Sequence, residues 1–216
     1  MSFIRQNPLS CGALTLLVLV SAVLYPNLPE RVIMGYDFDG GVDLTRPKDV
    51  AATLIPGIYA MVLILTHALI RYSPEKFSMP NSKRAIDIVM CGVGLMLVFL
   101  HYGLLGSRGD FDYFVRYFSW GMALSLIVIG NVFGKTERNF LLGVRTHWAI
   151  ASAANWKATH RLLGKLMVGF GLVLLVSNFL FSRLEFTVFL CVSSFLIPAV
   201  YSLVYYLRFE QSRPEA

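Results

Sequence analysis

The chain has 216 residues, 56% of them hydrophobic and 15% charged, with a mean hydropathy of +0.63. Soluble domains carry about 25% charged residues; here apolar runs close to the ~20 residues needed to cross a bilayer recur from end to end, which excludes an ordinary soluble domain. The net charge of +6 does not argue for nucleic acid, because the basic residues lie between the apolar runs, where membrane topology accounts for them.

The first apolar run covers about 9–26. Arg5 precedes it, as in a signal peptide, but the run ends in Tyr25-Pro26-Asn27-Leu28-Pro29, which is not a small-residue cleavage site, so it reads as a retained helix. A polar segment follows at about 27–49, with Glu30, Asp37, Asp39, Asp43 and Asp49. Its turn formers Pro29, Gly40, Gly41 and Pro47, with Val32, Tyr36 and Phe38 to bury, predict a partly structured, solvated loop. Five further runs cover about 50–72, 85–106, 114–134, 163–182 and 186–207. Each is long enough to span as a helix, and none shows barrel-type alternation. Pro56 and Pro198 fall inside spans two and six and predict kinks. Most connections are short, so neighbouring helices are expected to be antiparallel. No internal repeat supports an inverted-repeat transporter. The fold predicted is all-α: a polytopic bundle of six transmembrane helices, forming a single membrane domain over 1–216.

Six spans sort the connections into two sides. One side holds 13 of the 19 Lys and Arg residues and the other holds 6. The positive-inside rule places the richer side in the cytoplasm, which predicts cytoplasmic N and C termini and an external 27–49 loop.

The longest internal connection, about 135–162, holds most of the chemistry-bearing residues. Just before it stand Gly130, Asn131 and Gly134, an amide beside a small-xxx-small pair that lets helices approach closely. Ser152 is a candidate N-cap. If a helix continues from it, Lys157, Arg161 and Lys165 form one stripe, while Trp156, His160 and Leu163 share another face. Two readings stay open. The segment lies at the membrane interface, with Trp at headgroup depth; or Arg145, His160 and Arg161 fold under the bundle near Asn131 as a polar pocket, with Asp87 or an anion as partner. His67 and His101 sit near opposite ends of their spans, so they do not share a metal. No metal-ligand spacing, P-loop, G-x-G-x-x-G or G-x-S-x-G occurs. Cys11, Cys91 and Cys191 all lie in apolar runs, as small buried hydrophobes do. The expectation is a protein without metal or cofactor and without a catalytic motif.

A resemblance follows from the inner segment. Gly130-Asn131, Gly134-Lys135, Asn139-Phe140, Gly143-Val144-Arg145-Thr146-x-Trp148 and Trp156-Lys157-x-Thr159-His160-Arg161-x-x-Gly164-Lys165 resemble the signature of the SdpI family. Leu28-Pro29-Glu30-Arg31-Val32, with Gly40 and Asp43, is similar to a domain of unknown function that often precedes that signature. There are two departures: Gly35 stands where the family often has a His, and His147 where it has a Pro. The resemblance implies an immunity protein of the bacterial inner membrane, giving resistance to a secreted antimicrobial peptide toxin. It also implies possible signal transduction to a cytoplasmic repressor. The binding residues it points to are Asn131, Lys135, Asn139, Arg145, Thr146, Trp148, Trp156, Thr159, His160, Arg161 and Lys165, with membrane lipid as a further partner. The alternative reading is a membrane enzyme or transporter with an anion-binding site on the cytoplasmic side.

Overall fold

The structure is a computed structural model that describes residues 6–37, 39–72, 83–136, 138 and 142–211. Asn139, Phe140 and Leu141 of the signature and the topology-defining Arg5, Lys76 and Arg213 lie outside the described residues.

Six helices are long and apolar enough to cross a membrane. In chain order they are α1 (Pro8–Leu24), α2 (Lys48–Arg71), α3 (Lys83–Ser107), α4 (Phe111–Phe133), α6 (Ala153–Leu180) and α7 (Leu184–Phe209), with a one-turn helix, α5 (His147–Ala151), before α6. The protein is therefore an all-α multi-pass membrane bundle. Its outward surface is apolar: Leu19, Ile64, Val176 and Phe189 are each more than half exposed, which suits lipid and not water.

The bundle is built around the antiparallel α3–α4 pair. On one flank α1 packs against α3 and α2 joins α1; on the other α6 packs against α4 and α7 joins α6. Two apolar clusters match this division. Leu17, Tyr59, Leu63 and Val98 tie α1, α2 and α3. Ile86, Leu126, Leu163, Met167 and Leu190 tie α3, α4, α6 and α7.

Close approach of α4 and α6 depends on glycine. A Cβ on Gly164 would lie 2.7 Å from the Gly130 carbonyl oxygen, and one on Gly130 would lie 2.9 Å from that of Gly164. The small-xxx-small pair thus works as a helix crossing. Side chains reinforce the contacts: Ser119 and Thr187 share a buried 2.6 Å hydrogen bond between α4 and α7. Helices α2 and α7 run through Pro56 and Pro198 without a break.

Within the 27–49 segment, where the sequence predicts a partly structured loop, the chain forms a β-hairpin; Phe38 lies outside the described residues. Strand β1 (Arg31–Tyr36) pairs antiparallel with β2 (Val42–Pro47). Asp37 closes the turn, accepting from the Asp39 amide at 3.1 Å, and Gly40 takes a φ of +84°. Val32 buries itself against Ala51 and Leu105. The Tyr36 hydroxyl donates to Ser107 Oγ at 2.6 Å, and its ring stacks on Phe114. The hairpin therefore sits at the end of the bundle where α3 stops and α4 starts.

Two residues have different surroundings from those expected. His101, which the sequence places near one end of its span, is wholly buried, with Nε2 2.7 Å from Ser21 Oγ. Ser21 is also 2.8 Å from the Ala52 carbonyl, so these groups join α1, α2 and α3. Asp87, offered as a partner for Arg145, instead caps α1, accepting from the Ser10 amide at 3.0 Å, the Ser10 hydroxyl at 2.7 Å and the Leu9 amide at 3.2 Å. A buried carboxylate is well placed there, because a helix N-terminus presents unpaired N–H groups and positive partial charge.

Candidate functional site at the signature end

At the end opposite the hairpin, α4 gives way to a connection that returns through α5 into α6. The sequence reading began the fifth span at 163; the helix begins ten residues earlier, at Ala153. Ser152 caps it, its hydroxyl accepting from the Asn155 amide at 3.3 Å. Hydropathy misses these turns because one face is charged. Lys157, Arg161 and Lys165 are exposed, while Trp156, Thr159, His160, Leu163 and Gly164 are buried. The segment is thus the leading part of a spanning helix. Trp156 is only 2% exposed, buried within the protein instead of resting in the headgroup layer.

His160 is the centre of the arrangement. Its Nε2 accepts the Val144 amide proton at 3.2 Å. With that nitrogen an acceptor, the ring proton is on Nδ1, where it is donated to the Trp156 carbonyl oxygen at 2.9 Å. The ring also stacks on Trp156, with centroids 3.9 Å apart. Gly143 makes this possible twice over: its φ is +108°, and a Cβ there would lie 1.9 Å from His160 Nε2. Leu142 and Val144, on either side, are buried in the larger apolar cluster.

Further bonds fasten the connection. Trp156 Nε1 donates to the Thr136 carbonyl at 3.1 Å. Thr146 caps α5, accepting from the Ala149 amide at 3.2 Å, and shares a hydrogen bond with Ser202 of α7. Asn155 donates to the Ser202 carbonyl at 2.9 Å and accepts from Thr159 at 3.0 Å. Ser152 donates to Glu210 at the end of α7. Arg138 reaches the Ile150 carbonyl at 3.2 Å. The result is a polar latch binding the connection to α6 and α7, with its buried donors and acceptors paired.

The residues singled out in sequence divide into two groups. Thr146, Trp156, Thr159 and His160 belong to the latch. Asn131, Lys135, Arg145, Arg161 and Lys165 are exposed, and Trp148 is half-buried. Asn131 donates to the Ile127 carbonyl of its own helix at 2.8 Å. Arg145 follows Val144 directly, so its backbone adjoins His160 while its side chain turns outward. The signature thus builds a scaffold with a cationic exterior.

Sequence reasoning placed Gly143 in the signature without a role and missed Asn155, Ser202 and Glu210 as members. The i, i+4 spacing of Asn155 and Thr159 and the hydroxyl of Ser202 inside an apolar run were the traces available. Their convergence depends on α7 returning to this end of the bundle.

The fold and the latch define a multi-pass membrane protein whose C-terminal half carries a fastened connection at one end. A model of the SdpI/YfhL protein family matches residues 135–206, which include most of α7 and the latch except Glu210. The chain is also similar to "Immunity protein SdpI" of Bacillus subtilis (strain 168), at 24% identity over 215 residues, 97% of this chain and 100% of that protein. The resemblance to the SdpI family read from the signature is therefore shown, and it extends over nearly the whole chain. No solved structure matches.

Proposed function

We propose that this chain is an immunity protein of the SdpI type, protecting its cell from a secreted antimicrobial peptide toxin while residing in the bacterial inner membrane. The observation that carries this reading is the end-to-end similarity to Immunity protein SdpI, with the family model falling on the latch and α7. On this account the hairpin faces outward, toward the toxin, and the signature end faces the cytoplasm. The 13-to-6 division of basic residues supports that orientation.

The exposed cations Lys135, Arg145, Lys157, Arg161 and Lys165 then form the cytoplasmic contact surface, held in place by the latch. Anionic headgroups or an acidic face of a cytoplasmic repressor would complement it. The alternative of a membrane enzyme or transporter asks Asn131, Arg145, His160 and Arg161 to surround one anion. His160 commits both ring nitrogens to backbone groups and Asn131 bonds within its own helix, which favours the scaffold reading.

A toxin-sensitive host carrying this chain, plated against toxin-producing cells, tests the proposal. The chain should permit growth, and Arg145→Lys should weaken protection at equal membrane levels because the planar fork is lost though the charge remains. Equal killing with and without the chain would contradict the function. Full protection by the Lys variant would remove Arg145 from it.

A further inference from the structure

At the hairpin end, a cleft of about 510 Å³ opens between the α1–β1 connection, β1 and the last turn of α3. Its floor is apolar, with Val32 and Leu105 almost wholly buried and Leu104 beside them. Arg31 and Arg108 stand in its lining. Both are exposed. Arg31 uses Nε and Nη2 on Thr45 Oγ1, at 3.3 and 3.1 Å. Among the described residues the one ion pair is Lys48–Glu30, so neither arginine has a carboxylate partner. Arg108 also has φ +48°, the positive-φ residue outside glycine among those described.

Aromatic groups gather at the same end of the bundle. Tyr102, Tyr113 and Tyr117 form a cluster at the same end, with Tyr102–Tyr117 and Tyr113–Tyr117 centroids 4.7 and 4.6 Å apart, and Tyr36 stacks on Phe114 nearby. Tyrosines gather at the membrane–water interface, where the ring lies against hydrocarbon and the hydroxyl meets headgroups. Arg31 and Arg108 line the cleft at this same end of the bundle.

We propose that this cleft binds the headgroup of an anionic phospholipid, with Arg31 and Arg108 holding the phosphodiester and the glycerol end of the lipid lying against the accessible apolar lining, Pro26, Leu28, Pro29 and Ile33. Guanidinium forks match phosphate oxygens bidentately. An anionic lipid is selected over a zwitterionic one because a choline or ethanolamine cation would sit beside two unpaired positive charges. Free phosphate would satisfy the arginines but leave the accessible lining of Pro26, Leu28, Pro29 and Ile33 facing water. This assignment does not depend on the immunity reading.

The test is native mass spectrometry of the intact protein, released from detergent after titration with phosphatidylglycerol, phosphatidylcholine or inorganic phosphate. Wild type should retain one phosphatidylglycerol in preference to phosphatidylcholine, and inorganic phosphate should not displace it at equal concentration. Arg108→Gln, which leaves the Arg31–Thr45 contact intact, should weaken retention about tenfold, and adding Arg31→Gln should remove the preference. Arg183→Gln, a hairpin-end arginine outside the cleft, should match wild type, with unchanged helicity in all variants. Unaltered retention by Arg108→Gln, equal retention of phosphatidylcholine, or displacement by inorganic phosphate would each overturn the proposal. Saturable binding of an acidic amphipathic peptide with no lipid preference would assign the cleft to a peptide instead.

Discussion

Gly143 shows how much of the signature end rests on one backbone position. Left-handed φ and the approach of His160 both exclude a side chain there. Gly143→Ala should destabilise the protein by roughly 2–4 kcal/mol, combining backbone strain with displacement of a packed ring. Thermal unfolding in detergent measures this, and tryptophan fluorescence should report separation of Trp156 from His160. An unchanged unfolding midpoint would mean that the connection is not fastened through His160. The sequence marked His160 as chemically interesting but not how it is used. A histidine reads the same whether it awaits a ligand or accepts a backbone N–H, and only the return of Val144 onto α6 distinguishes the two. Asp87 carried the same ambiguity. Its charge suggested an arginine partner, while the fold places the start of α1 against it, 77 residues away in sequence for Ser10.

At the scale of elements, the α4–α6 crossing makes a comparison within one helix. Gly164 is pressed against the Gly130 backbone, whereas a Cβ on Gly169 would meet nothing within 4 Å. Gly164→Ala should cost about 1–3 kcal/mol because backbone cannot yield as a side chain can. Gly169→Ala should be neutral or slightly stabilising through helix propensity. Equal unfolding midpoints for the two variants would refute the close crossing. The six spans were legible because length and apolarity alone identify a membrane helix. The start of α6 was not, since its first three turns carry Lys157 and Arg161 on one face and hydropathy averages over the circumference. The hairpin was hidden for another reason. Its strands are short, with bulges between Ile33 and Tyr36, so no clean alternation appears, although Gly40 and Gly41 signalled the turn.

For the whole molecule, the even number of spans and the Ser152–Glu210 bond place the start of α1 and the end of α7 at the signature end of the bundle. The charge division then predicts that this end is cytoplasmic. In a background lacking Cys11, Cys91 and Cys191, Ser2→Cys and Pro214→Cys should resist an impermeant thiol reagent in intact cells and react after lysis. Labelling of either in intact cells would invert or break the topology. The central claim is protection, and the dose of toxin that kills a sensitive strain measures it most directly. With the chain induced to graded levels and its membrane content quantified, the lethal dose should rise as that content rises. A lethal dose that stays constant while the protein accumulates in the membrane would contradict the account.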